Sequence, residues 1–164
     1  MLVQTNLSNK LKPIGNNNKG CHPCNKPRCG TCKIMTTSQT FESNVTKKEY
    51  PINQNIDCNS KNVLYQLNCN FCNKQYIGQT TNPLRIRMTG HRFDIFHKNN
   101  DRPVSSHALF HNKDKIEECY TLKGIKKVED ISGDEKLIKL KLNKSENSHQ
   151  LVLQTRIPMG LNIR

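Results

Sequence analysis

Two tyrosines, an arginine and a histidine fall within NVLYQLNCNFCNKQYIGQTTNPLRIRMTGH, Asn62 to His91, at spacings that could gather them around one phosphate. Val63, Tyr65 and Leu67 alternate with Leu64 and Gln66, and Tyr76 and Ile77 open a second β-rich run that closes at Gly78. That period of two predicts a pair of strands, each carrying one tyrosine, joined by a turn that holds Cys69 and Cys72. After Gly78 the period changes: Asn82 suits a helix cap, Pro83 the first helical position, and Leu84, Ile86, Met88 and Phe93 lie among basic residues. On such a helix Arg87 and His91, four apart, share a face and can point at one ligand. A guanidinium fork pairs with phosphate oxygens, and phenols or an imidazole beside it can orient or move a proton.

The cysteines suggest a second kind of chemistry. Cys21, Cys24, Cys29 and Cys32 form C-x-x-C-x-x-x-x-C-x-x-C, and four thiolates satisfy tetrahedral zinc; Cys58 could replace one of these ligands. Six of the eight cysteines fall in C-x-x-C pairs in a chain without a signal-like start, which favours metal over disulfides. Cys69 and Cys72 could bind a zinc ion with His107 and His111, which are four apart on a helical run; surface histidines beside a structural cysteine pair are the other reading.

VLY at Val63–Tyr65, YIG at Tyr76–Gly78 and the L-x-x-R-x-x-x-H of Leu84, Arg87 and His91 together resemble the GIY-YIG nuclease domain. The similarity is closest to the endonuclease of Penelope-like retroelements, through GCHPCNKPRCGTC, the C-x-x-C between the half-motifs, and the P-x-G-L-N of Pro158, Gly160, Leu161 and Asn162. The resemblance implies DNA strand nicking with Tyr65 as general base and Tyr76 as a second hydroxyl. Arg87 and His91 would contact the phosphate or leaving group. It also implies a glutamate on the last helix, Glu146, holding magnesium or manganese, with Asn162 bracing it, and zinc on two cysteines and two histidines. A phenol titrates near pH ~10, so Tyr65 is expected either to be depressed by the cation and arginine or to act by orienting water.

In the resembling elements a reverse transcriptase is joined to this region. The sequence contains none, so the chain reads as a fragment of a larger open reading frame or a decayed copy. Val63 stands where the family's first glycine would be and His149 where a large aromatic would follow the glutamate. A zinc-stabilised nucleic-acid-binding module without catalysis is therefore the competing reading.

Bulk composition agrees with a nucleic-acid partner: 26 Lys and Arg against 13 Asp and Glu give +13 over 164 residues. No apolar run approaches a bilayer-spanning length, and the expected location is intracellular, in the nucleus.

The elements that must position these groups are few. The expectation is an α+β fold, a small three-stranded antiparallel sheet flanked by helices, behind an N-terminal cysteine-rich zinc-binding segment. A flexible leader would span 1–20, the cysteine-rich segment and a hairpin or extended arm 21–58, and the nuclease domain 59–164. Glu117–Val128 would form the third strand and Asp134–Gln154 the last helix, with leucines 137, 140, 142, 151 and 153 on its apolar positions.

Overall fold

A computed structural model of the chain describes residues 18–163. Residues 1–17 of the expected leader lie outside these, and Gly20 already belongs to a strand. In chain order the elements are β1 (Gly20–Cys21), a 3-10 turn (Gly30–Lys33), β2 (Thr40–Glu42), β3 (Glu49–Pro51), β4 (Asn55–Ile56), β5 (Val63–Cys69), β6 (Gln75–Thr80), α1 (Leu84–Phe96), α2 (Pro103–Phe110), α3 (Ile116–Cys119), β7 (Tyr120–Lys127) and α4 (Glu135–Val152). The fold is α+β, with a three-stranded antiparallel sheet in the order β6-β5-β7 and four α-helices among the described residues. None of these helices is long and apolar enough to cross a membrane.

β5 is the middle strand and is covered on both faces. Val63, Leu64, Tyr65 and Leu67 are all buried, and so is Gln66, whose amide donates to the Glu42 carbonyl at 2.9 Å. Its partner β6 is set so that Tyr65 lies opposite Gly78 and Leu67 opposite Tyr76, which places both tyrosines on one face. Gly78 is required there by space. A Cβ on it would overlap the phenol end of Tyr65 and come within 2.8 Å of Tyr76 Cε1. Gly78→Ala is therefore expected to cost about 2 kcal/mol or more through overpacking, read by urea denaturation. Gly90→Ala, in an exposed turn of α1 where a Cβ meets nothing within 4 Å, should stabilise by up to about 1 kcal/mol.

Helix α1 begins one residue later than Pro83 suggests. Pro83 is the N-cap and contributes no side-chain bond, and Asn82 does not cap. The first helical N–H groups are instead met by the preceding loop, with Leu84 N donating to Ser60 O at 3.0 Å and Arg85 N to Cys58 O at 2.8 Å. Leu84, Met88, His91 and Ile95 form the buried stripe, so the stripe that anchors the helix also carries one of the polar groups of interest.

The third strand starts at Tyr120 rather than Glu117, because Ile116 and Cys119 first bury themselves on one turn of helix whose opening holds Glu117 and Glu118. Helix α4 is capped by the Asp134 carboxylate, which accepts from Lys136 N at 2.9 Å and Leu137 N at 3.3 Å. Only some of its apolar residues turn inward. Ile138 and Leu142 on the helix and Leu153 just after it are buried, whereas Leu140 and Leu151 are exposed, since a single 3.6-residue stripe cannot collect all five leucines.

The cysteine-rich segment packs onto the sheet. β1 pairs in parallel with β4, β2 and β3 form a hairpin with Phe41 opposite Tyr50, and Cys21, Ile34, Phe41, Ile52 and Ile56 share one core with β5. Thr36 N donates to Leu122 O at 2.9 Å and Leu122 N to Ile34 O at 2.8 Å, so this segment covers the outer edge of β7.

Candidate functional site

Tyr65 sits at the centre of a buried polar group assembled from β5, β6 and α1. Its hydroxyl lies 2.7 Å from His91 Nε2 and accepts from Arg87 Nε at 3.0 Å. With the phenol oxygen already accepting from arginine, the Tyr65 proton is free to go to His91 Nε2, which fixes the imidazole as the tautomer protonated at Nδ1. Burial, and then the nearby Arg87 charge, hold the His91 pKa down at about 3, so the ring is a neutral acceptor at ordinary pH. Tyr76 completes the group: its ring stands edge-on to His91, centroids 6.0 Å apart, and 6.3 Å from the ring of Tyr65.

Of the two expectations for the Tyr65 phenol, depression by cation and arginine or action by orienting water, the protein groups alone favour the second. Burial pushes the phenol well above its ordinary value, the neighbouring Tyr76 adds to this, and the pull of Arg87 is too weak to offset them. Burial likewise raises the carboxyl of Glu146, which α4 carries half-buried toward Gln79, Arg87 and Gln150; Gln150 donates to it at a long 3.4 Å. Asn143, one turn earlier on α4, accepts from the Gln79 amide and ties the helix to β6. A half-desolvated carboxylate with few protein bonds keeps its oxygens available to a hard cation.

Asn162 does not brace Glu146. It clamps the backbone of Ile77, accepting from the amide at 2.9 Å and donating to the carbonyl at 2.7 Å, and it also accepts from Thr155 Oγ1 at 2.8 Å. The reason is that the terminal segment runs beside β6, with Leu161 N donating to Gln75 O at 2.9 Å, so Asn162 meets the strand rather than the helix. It thereby fixes the residue next to Tyr76. His149 packs its ring 6.0 Å from Phe41 in the space where an aromatic was expected.

Among the described residues, two sets of side chains that could hold a metal ion come together. Cys24, Cys29, Cys32 and Cys58 place their sulfurs within 4.8 Å of one another. The 3.6 Å from Cys24 to Cys32 and 3.7 Å from Cys32 to Cys58 are close to the roughly 3.8 Å edge of a tetrahedron of zinc–sulfur bonds about 2.3 Å long. These four sulfurs fit a metal ion such as zinc. Cys21 is not among them: its thiol points into the core and donates to Thr36 O at 3.1 Å, because β1 turns that side chain away, while the β1–β4 pairing delivers Cys58 beside Cys24.

The second set is Cys69, Cys72, His107 and His111, again within 4.8 Å of one another, with 3.2 Å from Cys72 Sγ to His107 Nε2 and 3.2 Å between the two Nε2 atoms. The end of β5 and the turn after it supply the cysteines, and α2 with its C-cap residue the histidines, so a metal ion here would fasten α2 to the tyrosine-bearing strands.

No family model matches the chain, and neither a curated protein nor a solved structure does.

The neutrality of His91 has a measurable consequence. Its pKa is about 3 in the folded chain against about 6.5 unfolded, so the unfolded state binds the extra proton as pH falls. The contribution to stability is complete above pH ~6.5 and is lost progressively toward pH ~3, by up to about 1.4 kcal/mol per pH unit. His91→Gln should show a shallower loss than the parent over that window in parallel denaturant titrations. Equal slopes would mean that the ring is not held neutral.

Proposed function

We propose that this chain is a metal-dependent DNA endonuclease of the GIY-YIG type, nicking target DNA for a Penelope-like retroelement whose reverse transcriptase would use the nick. The observation that carries the reading is the junction at Tyr65: one buried hydroxyl bonded to both Arg87 and His91, with Tyr76 beside it and Glu146 on the facing helix.

Hydrolysis needs a phosphate held still, water deprotonated as it attacks, and charge compensated as it develops. Arg87 spends Nε on Tyr65, and its remaining donors suit phosphate oxygens. With His91 held neutral and hard to protonate, Tyr65 acts by orienting the attacking water through its hydroxyl, so the phenol need never ionise and its raised pKa is compatible with this role. The water oxygen bonds to phosphorus as its proton passes to solvent, the bond to the leaving oxygen breaks, and that oxygen leaves as an alkoxide that takes a proton from solvent. Glu146 would hold magnesium or manganese, which when bound supplies Lewis-acid stabilisation of that charge. The two cysteine-containing clusters would hold structural zinc.

One observation favours the alternative, a zinc-stabilised nucleic-acid-binding module without catalysis: Tyr65 is 0% exposed. Incubating purified protein with supercoiled plasmid, with and without added magnesium, separates the two. Magnesium-dependent open circles support the nuclease; DNA retention without nicking supports the module.

A further inference from the structure

Helix α1 shows a second basic face, turned away from Tyr65. At 100° per residue, Arg85, Thr89 and Arg92 lie roughly half a turn around the helix from Arg87, so the two faces are separated by the body of a helix about 10–12 Å across. Between that face and the cysteine-rich loop is a cleft of about 280 Å³ to which Lys26, Arg28 and Thr31 also contribute, and no carboxylate is among the residues that line it. We infer that this cleft binds a backbone phosphate of duplex DNA, separate from the phosphate at Tyr65 and Arg87, and so sets where the duplex lies across the protein. This rests on the nucleic-acid reading above.

The side chains are arranged for an anion. Arg85 donates Nε to Asn59 Oδ1 at 3.1 Å, which orients the guanidinium while spending one of its five donors. Arg92 is different, since its Nε is paired with Glu117 at 3.0 Å and its buried Nη2, packed against Gly30, has no partner. That leaves Lys26 and Arg28, both exposed, and Arg85 as the uncompensated charges at the mouth; Thr31 and Thr89 also line it, the Thr89 hydroxyl donating to Arg85 O at 3.0 Å. Phosphate diesters suit such a pairing of guanidinium and ammonium donors. The competing account is that these cations merely offset the negative charge of a tetrathiolate zinc site formed in part by Cys24 and Cys29, which border the same cleft.

The test is binding of a fluorescein-labelled DNA duplex to the full chain by anisotropy, over a salt series and without added magnesium, so that nicking plays no part. The double variant Arg28→Gln with Arg85→Gln should weaken binding roughly tenfold near 0.1 M salt and lower the slope of log Kd against log salt by about 1 to 2, with zinc content unchanged. Lys136→Gln with Lys139→Gln, an equal charge loss on the exposed part of α4, should change the slope by less than half as much. Inorganic phosphate at matched ionic strength should leave wild-type affinity unchanged; displacement of the duplex by about 1 mM phosphate would make the cleft a free-phosphate site and overturn the proposal. Wild-type affinity and slope retained by the double variant would also overturn it, leaving the nuclease reading intact. Loss of zinc in place of loss of DNA binding would show that the cations serve the metal site. If the wild type itself binds no DNA, both readings fall.

Discussion

Glu146→Gln is expected to lower magnesium-dependent plasmid nicking by a factor of about 10² to 10³ while leaving duplex affinity within roughly twofold. The substitution keeps the shape and the bond to Gln150 but removes the charge that would hold a divalent ion. It also removes a carboxyl that burial already strains toward the neutral form, so folding stability should not fall. Arg87→Ala should reduce nicking comparably, and Tyr65→Phe should follow it because the phenyl ring still covers Gly78 and only the hydroxyl that orients the water is lost. Glu135→Gln, an exposed carboxylate at the opening of the same helix, is the matched control and should nick at the parental rate. Full-rate nicking by Glu146→Gln would move the metal to another carboxylate. Nicking by no variant and not by the parent, with DNA binding and zinc retained, would leave the non-catalytic module.

The tyrosine group was legible in the sequence because its parts are local. Tyr65 and Tyr76 lie on strands joined by a short turn, Arg87 and His91 on the helix that follows, and periods of two and 3.6 suffice to place each on its element. What periodicity could not show is that His91 would share the buried stripe with Leu84 and Met88 and so meet the phenol of Tyr65. A histidine in register with the three apolar residues Leu84, Met88 and Ile95 was the available sign. Asn162 was beyond reach for another reason: its bonds to Ile77 join residues 85 apart in sequence, and the clamp exists only once the terminal segment lies beside β6. The extent of α3 was also hidden, since Glu117–Val128 alternates well enough to read as strand throughout and only packing assigns Ile116 and Cys119 to a helical turn. The charge excess pointed to a polyanion without saying where it would bind, because lysines and arginines recur along the whole sequence.

Cysteine spacing pointed to a metal site and left open whether Cys58 replaces one of the four ligands, and that choice is a sharp test. Cys58→Ser should lose one of two zinc ions per chain, whereas Cys21→Ser should keep both. Structural zinc contributes on the order of 10 kcal/mol to the folding of small domains, and a three-ligand remnant holds it far less well. A loss of about 5 kcal/mol would lower the melting temperature by roughly 10–20 °C. Cys21→Ser exchanges a small buried thiol for a hydroxyl that can still donate to Thr36 O, and about 1–2 kcal/mol is expected. Cys58 has a second tie, because its carbonyl accepts from Arg85 N at the opening of α1, two residues before Arg87. Losing the metal should therefore loosen the start of the helix and depress nicking more than the stability loss alone accounts for at a temperature where the variant remains folded. Metal analysis of both variants, with melting curves alongside, decides the ligand set: zinc lost from Cys21→Ser and kept by Cys58→Ser would restore the spacing-based set and remove the link between the metal site and α1.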